Sequence, residues 1–293
     1  MKRMLDFQDR TRNRVMYINS SSIDIIMTCP RKAEYALARS MRSEGESSAL
    51  IFGTAIHAAL DVFYRASPGS RNIADVHAAF DAAAKNLDVP ENDKRSRENG
   101  HKILSKYFEV YANDPWVTYH DSQGPFVERS FELPFSLAPY NGLPFDVWLH
   151  GQIDAIMQNT ETGEIVVVDH KTTSTVSDLM NRVNPNTQFS IYAWAANEIG
   201  IPASRVMVNA IQVAKTKCDL MRVFTTRGEA EFGEMMDTVA GAAKFFWEAT
   251  TSKRFPMNTS SCSNYGGCQY LEICSTPVSQ RENLIKSIYQ PAF

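Results

Sequence analysis

No apolar run in this chain comes close to the ~20 residues that a membrane-crossing helix needs, so no membrane partner is expected. Positive charge is not in excess: 30 Lys and Arg stand against 33 Asp and Glu, a net charge of −3. That excludes a polycationic coat protein but not a nucleic-acid binder, for which a local basic patch is enough. The opening MKRMLDFQDR carries basic residues with no apolar stretch behind them. It does not read as a secretory signal, and a cytoplasmic location is expected. Cysteine is scarce and odd in number, five in 293 residues, which does not suit a disulfide framework. Internal repeats and low-complexity segments are missing. So is any helix-turn-helix or finger signature for reading bases, which argues against a sequence-specific restriction enzyme. The 44% hydrophobic and 22% charged shares are ordinary globular values. A core is therefore affordable, and a single domain over residues 1–293 is expected.

Ser20 to Ser22 ahead of Ile23, Ile25 and Ile26 reads as capping residues at a helix start. It leads through Cys29-Pro30-Arg31-Lys32 to a helical stretch ending near Arg39. Gly53 precedes a periodic segment from Thr54 to Tyr64, and helical stretches follow near Ile73–Leu87 and Asn92–Tyr111. Together these suggest a helical insertion over about residues 65–125. Val127 to Leu137 and Pro144 to Met157 are rich in β-branched and aromatic residues and often alternate, as strands do. Ile165 to Lys171 is an apolar run that suits a buried central strand. Gln188 to Glu198 reads as a helix, Val206 to Ala214 and Asp219 to Thr225 as a strand pair, and Glu229 to Thr250 as a long helix. This order predicts a mixed α/β fold.

The polar turn Asn159-Thr160-Glu161-Thr162-Gly163-Glu164 joins two of these strands, centred near Glu161 and Thr162. Folding about that centre sets Asp154 opposite Asp169. Opposed residues of antiparallel strands share a face at about 4.5–5.5 Å between Cβ atoms, and Lys171, two residues on, lies on the face of Asp169. Two opposed carboxylates repel unless a positive charge sits between them. Mg²⁺ or Mn²⁺ is the natural candidate, since hard cations take oxygen ligands. Such a cation stabilises charge on an attacked phosphate, and Lys171 would orient or help deprotonate the attacking water. The bland alternative is an exposed hairpin with a weak Lys–Asp pair. Glu128, at the start of its strand, is a further acidic candidate.

Three of the cysteines, Cys262, Cys268 and Cys274, fall within thirteen residues of the tail. A tetrathiolate site needs a fourth, and Cys29 and Cys218 are the candidates. A structural zinc site usually shows Cys-x₂₋₄-Cys pairs, a spacing that is missing here. A [4Fe–4S] cluster also takes four thiolates and tolerates varied spacings. Zinc and free thiols are the alternatives.

Gly151-Gln152-Ile153-Asp154, followed after the turn by Val168-Asp169-His170-Lys171, resembles the core motif of the PD-(D/E)XK nucleases. Gly53-Thr54-Ala55-Ile56-His57 and Gln188-Phe189-Ser190-Ile191-Tyr192 resemble the histidine helix and the Gln-x-x-x-Tyr helix of the RecB-like exonuclease branch. That branch includes CRISPR-associated and phage iron–sulfur nucleases. Cys29 with Cys262, Cys268 and Cys274 resembles its iron–sulfur motif. The matches span nearly the whole chain.

The resemblance implies a restriction-endonuclease-like α/β core. In that core a central mixed β-sheet is flanked by helices, with a helical insertion and an iron–sulfur clasp joining the N- and C-terminal segments. It implies metal ligation by His57, Asp154, Asp169 and the backbone carbonyl of His170, whose side-chain identity should then matter little. Lys171 would be the catalytic lysine. Gln188 and Tyr192 would line the site, touching DNA or positioning Lys171. Asp169 stands where many members have Glu. An imidazole ligand favours Mn²⁺ over Mg²⁺. The implied activity is a DNA exonuclease acting on single strands or ends in recombination, repair or phage DNA metabolism, with endonuclease activity allowed. The implied partners are DNA, further copies of the chain, and a recombination or replication protein.

Basic groups at Arg31/Lys32, Lys94/Arg95/Arg97, Lys215/Lys217 and Lys253/Arg254 are candidates for phosphate contacts. Tyr35, Phe63, Tyr64 and Trp194 are candidates for stacking on bases. The plainer reading takes the charges as solvated faces and the rings as core. Two other functions compete with the nuclease. A non-catalytic DNA-end-binding or adaptor subunit on a nuclease fold would be expected to lack some of Asp154, Asp169 and Lys171. An iron–sulfur redox protein would leave the acidic hairpin unexplained.

Overall fold

In a computed structural model of the chain, residues 15–41, 47–135 and 144–288 are described. The opening segment read for a signal, and residues 136–137 at the end of the first expected strand, lie outside them. The main elements in chain order are β1 (Val15–Ile18), α1 (Ser20–Thr28), α2 (Ser48–Arg65), α3 (Ile73–Ala83), α4 (Arg97–Tyr111), β2 (Trp116–Thr118) and β3 (Val127–Phe135). There follow β4 (Asp146–Asn159), β5 (Ile165–Thr173), α5 (Thr187–Glu198), β6 (Arg205–Gln212), β7 (Leu220–Thr226) and α6 (Glu229–Ser252), and the chain closes on α7 (Arg281–Ile288). The fold is mixed α/β, a mixed sheet flanked by helices, as expected. None of the described helices is long and apolar enough to cross a membrane.

Capping sets the helix starts. Asn19, not the serine run, caps α1: its side chain accepts from the Ser22 N–H, and the Ser22 hydroxyl accepts from the Asn19 N–H, both at 2.8 Å. Ser47 caps α2 by accepting from the Leu50 N–H at 3.2 Å, so this helix begins ahead of Gly53 and Gly53 lies inside it. Ser96 caps α4, which therefore starts later than Asn92, where the apolar periodicity alone puts it. β1 and β2, at four and three residues, are too short for alternation to reveal.

The described residues form two compact units. The larger takes residues from Glu46–Phe131 and Gln152–Phe232. In it β4 runs antiparallel to β5, from Ala155 opposite Val168 to Gln158 opposite Ile165. One step further along that register sets Asp154 against Asp169, as the turn predicts. β5 runs parallel to β6, with α5 as the crossover, and β6 runs antiparallel to β7. Side chains alternate along β5. Val166 and Val168 face a core built with Phe52, Ile56, Leu60 and Phe63 of α2, Phe80 of α3 and Leu104 of α4. Asp169 and Lys171 therefore face the other way, toward α5.

The smaller unit takes residues from Met1–Gly45, Glu132–Gly151 and Gly233–Phe293. Here β1 runs parallel to the first part of β4, Val15 opposite Asp146 through Ile18 opposite Leu149. The tail folds onto the segment after α1. Tyr35 and Met41 share a small core with Tyr270, Ile273 and Ile285. The Tyr270 hydroxyl donates to the Met41 carbonyl at 2.7 Å, and Arg39 grips both carboxylate oxygens of Glu282 at 2.9 Å.

Candidate active site

Of the predicted residues, His57, Asp154 and Tyr192 line one open cleft of about 640 Å³ in the larger unit, while Asp169, His170, Lys171 and Gln188 lie outside its lining. α2 brings His57, with Asp61 one turn further on the same face. β3 brings Glu128 and β4 brings Gln152 and Asp154, while α5 brings Tyr192. His57, Glu128 and Asp154 each aim one ligand atom into a space where all three atoms lie within 4.8 Å of one another. His57 Nδ1 is 3.5 Å from Glu128 Oε1 and 3.6 Å from Asp154 Oδ2. On the far side of the ring His57 Nε2 meets the His170 carbonyl at 3.0 Å. Asp154 Oδ2 also accepts the His170 N–H at 2.7 Å.

Glu128 reaches the group at a conformational cost. Its φ is +49°, in the left-handed region where a non-glycine residue stores about 1–3 kcal/mol. Arg65 braces the turn by donating to the Val127 carbonyl at 3.0 Å, and is itself held by Asp61 at 2.7 Å. The Gln152 amide donates to Glu128 Oε2 at 2.5 Å. Sequence reasoning gave no role to Gln152 or Asp61. The signals were there: Gln152 shares a strand face with Asp154, and Asp61 follows His57 at helical spacing.

Asp169 is 1% exposed and sits beside the group without joining its tight set of ligand atoms. Lys171 Nζ donates to Asp169 Oδ1 at 2.9 Å and lies as close to Oδ2. Asp169 Oδ2 is buried beside the Lys171 ammonium and makes no hydrogen bond of its own. Lys171 donates also to Gln188 Oε1 at 3.1 Å, and Gln188 Nε2 donates to the Tyr192 hydroxyl at 2.9 Å. The four-residue spacing of Gln188 and Tyr192 puts them on one face of α5, so Asp169, Lys171, Gln188 and Tyr192 form one relay.

Opposed charges set the protonation of this site. Burial pushes Asp154 up to about 7, helped by the charge of Asp169 and opposed by His57 and the His170 N–H. Burial pushes His57 down, but its hydrogen bond to Glu128 and the charges of Asp154, Glu128 and Asp169 outweigh it and raise it to about 9. The imidazolium thus supplies the positive charge that the carboxylates require. Burial, and then the charge of His57, hold His170 well below the usual histidine value, so it is neutral. Burial raises Tyr192 above an ordinary tyrosine, so its hydroxyl keeps its proton.

The donor set fits a hard divalent cation. It offers two carboxylates and one imidazole within reach of a single point, and the spare oxygen of Asp169 beside them. Residues 18–275 match the PD-(D/E)XK nuclease superfamily. The chain belongs to this superfamily. Among solved structures, this superfamily member is similar to a protein from Eubacterium rectale described as a "putative exonuclease". That match has 11% identity and a TM-score of 0.50, and covers 91% of this chain and 92% of that one. The likeness is one of fold. A protein described as SSO0001 is also similar, at 15% identity and a TM-score of 0.34 over 74% of this chain and 84% of that one, too distant to support an argument. No curated protein matches in sequence.

For this superfamily member the plainer reading of the rings holds, and the expected cysteine cluster is not found among the described residues. Tyr35, Phe63, Tyr64 and Trp194 are all buried, so they offer no stacking surface. Of the basic candidates, Arg31 pairs with Glu34, Lys217 with Asp219, and Lys94 donates to Ser174. In the smaller unit the four expected cluster cysteines do not form one ligand set: among the described residues the only such set is His57, Glu128 and Asp154. Cys268 and Cys274 instead lie against the Tyr35–Tyr270 core, and Cys29 Sγ accepts the Asn258 N–H at 3.4 Å. Burial raises the Cys274 thiol, and the neighbouring Cys268 and Cys29 add to it. Cys218, in the larger unit, is half-buried.

Proposed function

We propose that this chain is a metal-dependent DNA exonuclease that hydrolyses phosphodiester bonds of single-stranded DNA or DNA ends. One observation supports the reading above the rest. His57, Glu128 and Asp154 converge in an open cleft, with the Asp169–Lys171 pair on the adjoining strand. His57, Asp154, Asp169 and Glu128 are the proposed ligands. Mn²⁺ is favoured over Mg²⁺ because one donor is an imidazole. A divalent cation held there supplies charge neutralisation at the scissile phosphate.

Lys171 is held by Asp169 and Gln188, which fix its ammonium on the face of β5 toward α5, beside Asp154 and the cleft. From there it orients the attacking water and stabilises the charge developing on the phosphate. Gln188 has its carbonyl on Lys171 and its amide on Tyr192, so it sets the distance between them. The Tyr192 hydroxyl accepts from Gln188 and keeps its own proton to donate to a phosphate oxygen. Glu128 and Gln152 form the opposite wall.

An iron–sulfur cluster on Cys29, Cys262, Cys268 and Cys274 is what the resemblance implies for the tail, although these thiols do not stand together as one ligand set. It rests on the resemblance and on thiolate chemistry, and no catalytic step passes through it.

The test of the function is degradation of end-labelled linear and of circular single-stranded DNA with Mn²⁺, Mg²⁺ or EDTA. Metal-dependent loss of the linear substrate alone is expected. Cutting of the circle would add endonuclease activity. DNA binding without cleavage under any metal would replace the nuclease with an end-binding adaptor.

A further inference from the structure

Two of the proposed ligands lean on the backbone of one residue. The His170 N–H fixes Asp154 Oδ2 at 2.7 Å, and the His170 carbonyl meets His57 Nε2 at 3.0 Å. A partner on one ring nitrogen of a histidine decides which nitrogen is left for a ligand. With Nε2–H on the carbonyl, His57 turns Nδ1 toward Glu128 and Asp154.

The side chain of His170 lies on the opposite face of β5, 2% exposed, on the side of Val166 and Val168. An apolar residue would pack there at lower cost, since a buried polar group is unfavourable unless it is bonded. This one is bonded. His170 Nδ1 is 2.9 Å from the amide nitrogen of Asn209, the residue paired with it across β6. The Tyr64 ring stacks on the imidazole with centroids 5.4 Å apart and planes 11° apart. The Asn209 amide donates also to the Tyr107 hydroxyl, and the Tyr107 and Tyr64 hydroxyls are hydrogen-bonded. Arg222, paired with Asn209 across β7, donates to the Tyr64 hydroxyl at 3.3 Å and is anchored by Asp114 at 2.6 Å. The network ties three strands to two helices through the middle of the unit. Its bonded members rigidify one another, although Asn209 Oδ1 and Arg222 Nε make no hydrogen bond.

We propose that His170 is a positioning residue. Its imidazole, locked by Asn209, Tyr64 and Tyr107, holds the backbone whose N–H and carbonyl orient Asp154 and His57 toward the cation. The inference rests on the nuclease reading above. It gives the side chain of the motif's middle residue a role beside that of its backbone: the identity of residue 170 matters, because the imidazole is what the buried network holds.

The test is Mn²⁺ binding, read from the electron paramagnetic resonance signal of the free ion. Wild type is compared with His170→Phe, Tyr107→Phe and, as a packing control in the same core, Val76→Ala. Both network variants are expected to bind Mn²⁺ about 10- to 100-fold more weakly, the usual effect of losing an outer partner of a ligand. They should lower kcat with KM for DNA little changed. Val76→Ala should lower Tm and leave Mn²⁺ affinity alone. Tyr107→Phe removes a single oxygen, so it carries the test if His170→Phe does not fold. Wild-type affinity in the folded network variants would overturn the inference while leaving the nuclease reading intact. A wild type that neither binds Mn²⁺ nor cuts DNA would overturn both.

Discussion

At the scale of single residues, the site was legible where chemistry and spacing coincide. Asp154, Asp169 and Lys171 follow from a turn centre and the period of two. The structure carries Ala155 against Val168, one step from the predicted pair. Glu128 was harder to read, because only a left-handed backbone turns it into the cleft. Asp169→Ala or Lys171→Ala should abolish cleavage in the linear-DNA assay while circular dichroism and DNA binding stay near wild type. Full activity in either variant would sink the mechanism. The protonation of the site gives a second prediction. Both raised groups favour the proton in the folded, metal-free protein. Their stabilising effect fades as pH rises, through about 7 for Asp154 and about 9 for His57. A cation takes the deprotonated forms and expels those protons. Its affinity should therefore climb as pH rises, by about tenfold per unit while one proton must leave. The rise in Tm on adding Mn²⁺ should be larger at pH 8 than at pH 6. An equal rise at both would mean that His57 and Asp154 do not hold the ion.

At the scale of elements, periodicity identified the strands and helices but not their starts, which capping side chains decide. α2 shows why. Gly53 reads as a helix boundary, yet Ser47 caps the helix ahead of it and the glycine lies on the cleft-facing turn. A Cβ at Gly53 would meet Thr172 Oγ1 at 3.5 Å, an ordinary contact. At Gly100 in α4 it would meet the Phe80 ring at 2.2 Å, where nothing can give cheaply. The two substitutions should thus have opposite signs. Gly53→Ala should stabilise by about 0.5–1 kcal/mol, the usual helix-interior gain. Gly100→Ala should destabilise by about 1–3 kcal/mol through overpacking against Phe80. Urea denaturation of both variants checks this, and the same sign for both would contradict it. The His170 network lay beyond sequence reasoning for a related reason. His170, Asn209, Tyr107 and Tyr64 come from four elements, and no local pattern pairs them.

At the scale of the whole molecule, the resemblance anticipated that the tail and the N-terminal segment meet, and in the smaller unit they do. The means differ from the expectation. The described contacts are aromatic packing of Tyr35 on Tyr270 with centroids 5.4 Å apart, the Arg39–Glu282 pair, and hydrogen bonds from Asn258 to Thr28 and Cys29. Spacing could not tell a clasp made by sulfur from one made by side-chain packing, because Cys268 and Cys274 sit against the same small core. The two contributions are separable by mutation. Tyr270 is 1% exposed and its hydroxyl caps the Met41 carbonyl. Tyr270→Ala should therefore cost about 3–5 kcal/mol, as large-to-small changes in cores do, whatever the cysteines hold. Cys268→Ala removes little packing. It should cost much stability only if a cluster bridges the thiols, and on the proposed reading it loses both the brown colour of anaerobically purified protein and soluble yield. A colourless wild type, with Cys268→Ala melting alongside it, would leave the aromatic core as the whole of the clasp.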